Sequence, residues 1–200
     1  MSPASTTRHS GAERREDILD AACEEIATAG FAAATTAAIA QRAGISQPYV
    51  FRFFQTKKEL SLAVVDRCVG QLLGDWERVV PKPGETRLEA LGRSYVEALP
   101  SRRTQLLVQL HAYAAADDPD MAEAMRHHLA RIYRYVVLQA RRDGGADPHA
   151  EAASFLSRGF LINAAMAIGL ESALTPEEWG GICAKGEVAR VEDRGEHTAA

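Results

Sequence analysis

The chain reads as all-α and in two parts: an N-terminal three-helix domain built around a helix-turn-helix, joined to a C-terminal helical bundle. Three observations predict this. Nearly every segment carries apolar residues at helical period, and none shows sustained alternation with β-branched enrichment. The strong breakers fall between those segments: PKPGET at 81–86, DDPD at 117–120 and DGGADP at 143–148. Residues 35–60, TTAAIAQRAGISQPYVFRFFQTKKEL, read as helix, tight turn, helix and the start of another helix.

Each element has its own local reason. The first helix is expected from about Gly11 to Thr28, with Ile18, Ala22 and Ile26 on its apolar stripe. Gly30 ends it, and Phe31 can pack back on Ile39, Val50 and Phe54. Thr35 caps the second helix with its hydroxyl, and Ile39, Ala40 and Ala43 recur on one face. Gly44 stops that helix by taking the left-handed conformation that other residues avoid. Ser46 is expected to cap the third helix, with Pro48 in its first turn, where a missing N–H costs little. A fourth helix starts near Thr56 and carries Leu60, Val64, Cys68 and Leu72 toward Val80. Further helices are expected at about 87–99, 102–116, 119–142 and 148–173, with a shorter one after Thr175. That makes about nine helices, divided as 11–58 and 59–184, followed by a polar, uneven tail at 185–200 expected to be disordered.

Two hundred residues at 46% apolar suffice for a sizeable core. The net charge of -4 excludes an overall basic coat, yet the charge is uneven. Residues 34–60 hold Arg42, Arg52, Lys57 and Lys58 against Glu59, a local +3, leaving 19 cations against 26 carboxylates elsewhere. The N-terminus lacks the apolar stretch of a signal peptide. The cleanest apolar run, Phe160–Leu170, is broken by Asn163 and too short to span a bilayer, so no membrane is expected as a partner. Cys23, Cys68 and Cys183 are odd in number, far apart and outside any Cys-x-x-Cys pattern, which fits a reducing cytoplasm. A redox role for Cys68 would need an electropositive, accessible setting. No nucleophile elbow, phosphate loop, metal-helix pair or paired-carboxylate motif is present, so no enzyme, cofactor or metal is expected. His127 and His128 are consecutive and point apart on a helix, which disfavours a metal site.

Two short helices joined by a Gly-containing turn are the form whose second helix enters the DNA major groove. The order Thr-Thr, Ile-Ala, Ala-Gly-Ile-Ser, Val-Phe-Arg-Phe-Phe and Thr-Lys-Lys-Glu-Leu resembles the DNA-binding region of the TetR family of transcriptional regulators, over roughly residues 14–65. The resemblance implies base contacts from Gln47, Pro48, Tyr49, Arg52 and Phe53. It implies phosphate contacts at helix starts from Thr35, Thr36 and Lys57. Gln47 suits adenine, Arg52 suits guanine or a phosphate, and Pro48 can press on a thymine methyl. Phe51 stands where that family usually has a phosphate-binding Tyr, and Phe53 where a His is common. Both are expected to lose a polar contact, and Phe51 and Phe54 are expected in the core. Arg8, Arg14 and Arg15 are candidates to make up the loss.

One such motif reads too few base pairs to be selective, so a homodimer on a palindromic double-stranded operator is expected. The apolar helix at 148–173 is the candidate dimer surface, and the resemblance implies a four-helix bundle there. It also implies a cavity for a small-molecule effector. Candidate lining residues are Trp76, Tyr95, Leu107, His111 and Met125, together with Tyr133, Phe160, Asn163 and Met166. The implied function is a repressor released from DNA by that effector, with the fourth helix as lever. A second reading, motivated by Phe51 and Phe53, is a helical ligand- or protein-binding module that has lost DNA binding.

Overall fold

The computed structural model describes residues 10–183; the expected tail at 185–200 and Arg8 lie outside the described residues. Eight α-helices and a short 3-10 turn make up the described residues, with no strand among them. They are α1 (Gly11–Ala33), α2 (Thr36–Arg42), α3 (Gln47–Val50), α4 (Lys57–Arg78), α5 (Arg87–Ala114), α6 (Pro119–Arg142), α7 (Pro148–Ala167) and α8 (Pro176–Cys183), with the turn at Leu170–Ser172.

Side-chain caps define most helix starts, because the first four N–H groups of a helix have no partner inside it. Ser10 and Glu13 form a reciprocal capping box on α1, and Thr86 and Glu89 do the same on α5. Thr35, Thr56, Asp118 and Asp147 cap α2, α4, α6 and α7. Asp143, at the end of α6, also accepts from the N–H groups of Arg87 and Leu88 at 2.9 and 3.1 Å. Ser46 departs from expectation: its side chain makes no capping hydrogen bond, and only its carbonyl accepts, from Tyr49 N and Val50 N.

The α2–α3 turn closes as the sequence implies. Gly44 is left-handed (φ 66°), Ile45 N donates to Ala40 O, and Gly44 N donates to Gln41 O. This is the paired arrangement that satisfies the last carbonyls of a helix. Gly30 is likewise left-handed (φ 75°) and breaks α1, but a final turn resumes to Ala33.

Two further boundaries differ from expectation. The pair of helices expected at 87–99 and 102–116 is one helix, α5, continuing through Pro100. Pro100 removes one N–H, but Leu99 and Leu106 on either side are buried in one cluster with Ile162 and Met166. Continuous packing outweighs the local break. The helix expected at 148–173 instead ends at Ala167, because Gly169 turns left-handed (φ 70°) before the 3-10 turn.

Three apolar clusters hold the molecule. The first joins α1, α2, α3 and the start of α4 around Ile18, Ile26, Ile39, Val50, Phe54 and Leu60. It runs on into Val108 and Ala112 of α5 and Met121 and Met125 of α6. The second surrounds Trp76 between α4, α5 and α6, and the third joins α5 to α7. The N-terminal helices therefore share a core with the bundle rather than hanging from it.

Candidate nucleic-acid interface and ligand cavity

The end of α3 is a small, packed, outward-facing unit. Val50 and Phe54 are fully buried and anchor it, while Gln47, Pro48 and Arg52 face solvent. Tyr49 is half-buried between two neighbours. Its ring meets Phe53 edge-on at 5.4 Å, and the Arg52 guanidinium sits 5.1 Å from its centroid. Such contacts hold a flexible cation in place without neutralising it. Arg52 is thus presented as a positioned positive charge beside exposed Gln47 and Pro48.

The flanking groups are more constrained than expected. Thr36 is buried, and its hydroxyl accepts from Gln47 Nε2 at 2.7 Å, so the two side chains engage each other. Thr35 is exposed, and its hydroxyl accepts from Ala38 N. Lys57 Nζ donates to the carbonyl of Ala32 at 2.9 Å, tying α4 to the end of α1. Arg42 pairs with Glu24 and Glu25 at 3.2 and 3.1 Å. Lys58 pairs with Asp118 and Asp120 at 2.9 and 2.8 Å, and these carboxylates hold its ammonium far above the usual lysine range. Two of the four cations behind the local +3 are therefore matched by carboxylates from elsewhere in the fold. Arg14 pairs with Asp17, and Arg15 lies over the Phe54 ring at 4.9 Å. Phe51 corrects an expectation: it is 43% exposed rather than in the core, because it caps the end of α3 pointing outward while Phe54 turns in.

A cavity of about 70 Å³ lies inside the bundle between α4, α5, α6 and α7. Trp76 forms one wall, stacked on Tyr135 and edge-on to Tyr95 and Phe155. A polar chain crosses it. The Tyr95 hydroxyl donates to Asn163 Oδ1, Asn163 Nδ2 donates to Gln109 Oε1 at 3.4 Å, and Gln109 Nε2 donates to the Tyr113 hydroxyl at 3.4 Å. Burial, only partly offset by the Asn163 bond, pushes the Tyr95 hydroxyl up to about 12, so it stays a donor. Trp76 Nε1 is buried with no hydrogen-bond partner. An adjoining void of about 50 Å³ shares Leu72, Tyr95, Gln109 and Ile132 with the first and reaches Cys68, Arg102 and Gln105.

Of the cavity residues expected from sequence, Trp76, Tyr95, Phe160 and Asn163 line the larger space, and Met125 lines the adjoining one. The others lie elsewhere. Met166 is buried between α5 and α7 and Leu107 packs on that cluster. The Tyr133 hydroxyl bonds His149 Nδ1 at 2.8 Å. His111 fills the space against Gly30, where an added Cβ would sit 3.3 Å from its Nδ1. Gln109, Phe155 and Arg158 were not anticipated. The available signal is Arg158 as the one charged residue of α7 after Glu151.

Residues 18–64 match the model of the bacterial regulatory proteins, tetR family. A 61-residue stretch is 44% identical to the HTH-type transcriptional activator FasR of Mycolicibacterium smegmatis. Over these stretches the chain is similar to TetR-family regulators. The FasR match covers 30% of this chain and 28% of that relative, so it speaks for less than a third of either. The TetR-type fold extends further. Salmonella enterica GusR superposes with a TM-score of 0.70 over 88% of this chain and 94% of its own, at 19% identity. A transcriptional regulator of a Rhodococcus species superposes at 0.64 over 84% and 91%, at 25% identity. Among the described residues no helix is long and apolar enough to cross a membrane, and no group of three or more potential metal ligands occurs.

Proposed function

We propose that this TetR-like protein is a homodimeric, sequence-specific DNA-binding regulator, a repressor released from its operator by a small apolar effector. The observation that carries the reading is the end of α3, where Arg52 is held over Tyr49 beside exposed Gln47 and Pro48 on a rigid, fully buried base. Gln47, Pro48, Tyr49, Arg52 and Phe53 supply base contacts. Thr35, Thr36 and Lys57 hold phosphates at the two helix starts; for Thr36 this requires Gln47 to exchange its present hydrogen bond for a base edge.

The dimer surface is the outer face of α7 and its end. Phe160, Leu161, Ala164 and Ile168 recur there at helical spacing, with Leu161 52% and Ile168 78% exposed. A stripe of that kind on an isolated subunit is a surface awaiting a partner.

Effector release follows from cavity size. Small-molecule pockets run to about 300–1,000 Å³, several times the present space. An occupant must therefore part α4 from α5 and α7. Because α4 carries Lys57 at the reading end and Trp76 at the cavity, roughly 30 Å apart along one helix, that parting moves the reading heads. A dimer whose reading helices no longer sit about 34–36 Å apart loses one DNA turn of register.

The test is selection of random duplexes by the purified protein, then affinity for the enriched sequence across salt concentrations. An enriched palindrome with a steep salt slope supports the reading. A second reading is favoured by Phe51 exposed in place of a phosphate-binding Tyr, and by the carboxylates on Arg42 and Lys58. In it, the helical module has kept ligand or protein binding and lost DNA. Absence of enrichment, with only weak binding, would select that reading.

A further inference from the structure

Cys23 on α1 and Cys68 on α4 lie 45 residues apart in sequence, yet their Sγ atoms stand 3.9 Å apart, within hydrogen-bond reach for sulfur. Both are free thiols. Cys23 is buried, while Cys68 is half-buried and borders the void that Arg102 and Gln105 also line. Arg67, next to Cys68, pairs with Glu16 at 2.8 Å and with Asp20, which fastens α1 to α4 beside the sulfurs. The Cys68 hydrogen bond, with Arg67 nearby, holds the Cys23 thiol below the usual thiol range against burial and the charges of Asp20 and Glu24. The Cys23 neighbour and burial push Cys68 up, against Arg67 and Arg102. Cys23 is thus the more readily ionised of the two sulfurs, and the thiolate is the reactive form.

We propose that Cys23 and Cys68 are a dithiol modification site, oxidised by a hydroperoxide to an intramolecular disulfide that clamps the first helix of the reading head to α4. The thiolate attacks the peroxide oxygen, forming a sulfenic acid and releasing the other oxygen as alcohol or water with one proton taken up. The second thiol then displaces the sulfenic hydroxyl, forming the S–S bond and a second water. Two thiols are oxidised and one peroxide is reduced. The sulfurs must close from 3.9 Å to about 2.05 Å, a change within reach of side-chain rotation and a small helix shift. The thiol chemistry stands apart from the DNA-binding reading; only its effect on DNA affinity rests on that reading.

The experiment uses the full chain carrying Cys183→Ser, treated with hydrogen peroxide and mapped by non-reducing peptide mass analysis. The expected result is a linked peptide pair containing positions 23 and 68, two hydrogens lighter, reversed by dithiothreitol, with melting raised by about 10 °C. In Cys68→Ser the remaining Cys23 should stall as a dimedone-reactive sulfenic acid; Cys23→Ser gives the mirror test at the half-buried position. Peroxide that leaves both thiols intact, drives each separately to sulfinic acid, or links different molecules would overturn the proposal. On a selected duplex, oxidation should shift affinity by about fivefold or more, and not in Cys68→Ser. A linked but unshifted protein overturns the coupling. A reduced protein that binds no duplex counts against the DNA reading, while mass and melting still decide the thiol pair.

Discussion

The reading head and the cavity are built to opposite rules. In the head, Ile18, Ala22, Val50 and Phe54 are at or within 1% of full burial, and the Thr35 cap and a left-handed Gly44 set the two ends of α2. Around the cavity, polar groups are buried in a chain of long bonds, Trp76 Nε1 and Gln105 Oε1 go unpaired, and Pro100 interrupts the hydrogen bonding of α5. Unpaired buried donors and acceptors cost about 1–3 kcal/mol each. The contrast teaches that the head is optimised to stay as it is. The bundle keeps the unsatisfied groups and slack that a change of shape can use.

The largest expected effect breaks this contrast most directly. Phe54→Ala should cost about 3–5 kcal/mol of unfolding free energy by chemical denaturation, since its ring is fully buried in the first cluster. Phe160→Ala, on the cavity wall and 37% exposed, should cost less within one subunit, about 1–2 kcal/mol. Equal losses would mean that the bundle is packed as tightly as the head and that its cavity is no weak point.

Arg52→Ala sharpens the contrast from the other side, separating function from stability within the head. The side chain is exposed and bears on Tyr49 alone among the aromatic rings, so melting should hardly move. Affinity for the selected duplex should fall by about 1–3 kcal/mol, or roughly fivefold to over a hundredfold. A uniform loss over all sequences, with a shallower salt slope, would assign Arg52 to phosphate rather than base.

The head was legible in the sequence because its determinants are local. Thr35, Gly44, Pro48 and Thr56 act within a turn of where they stand, and the apolar spacing of Ile18, Ala22 and Ile26 needs only one helix to be read. What escaped was long-range. The carboxylates on Arg42 come from 17 and 18 residues away, and one of those on Lys58 from 62 away, so a count of charges in residues 34–60 overstates the free positive charge. The cavity is more hidden still: Asn163 meets Gln109 and Tyr95 across 54 and 68 residues. Aromatic and polar residues could be nominated by type, but Tyr133 and His111 satisfy the same types while serving contacts elsewhere. Pro100 shows the limit in the fold itself, where burial of Leu99 and Leu106 overrides a local breaker.

Asn163→Leu tests whether the cavity's polar chain is structural. Leucine preserves bulk but strands the Tyr95 hydroxyl and Gln109 Oε1, so stability should drop by about 1–3 kcal/mol in denaturant melts. A neutral or stabilising outcome would mean that these groups have other partners, water among them, and that Asn163 serves binding more than folding.

The smallest effect is confined to alkaline pH. Tyr95 is an acid whose folded pKa, about 12, lies above the ordinary tyrosine value near 10. Its neutral form is favoured in the folded state, so its contribution is fully present below pH 10 and is lost as pH rises through about 12. Phenolate absorbance of the native protein should show a last step near pH 12 from Tyr95, beyond those of Tyr113 and Tyr135, which burial also pushes up. Tyr95→Phe should remove that late step and flatten the fall of stability between those two pH values. If instead the late step persists in Tyr95→Phe, the buried donor at the cavity is a different tyrosine, and Tyr113 at the far end of the same chain, also pushed up by burial, is the next to replace.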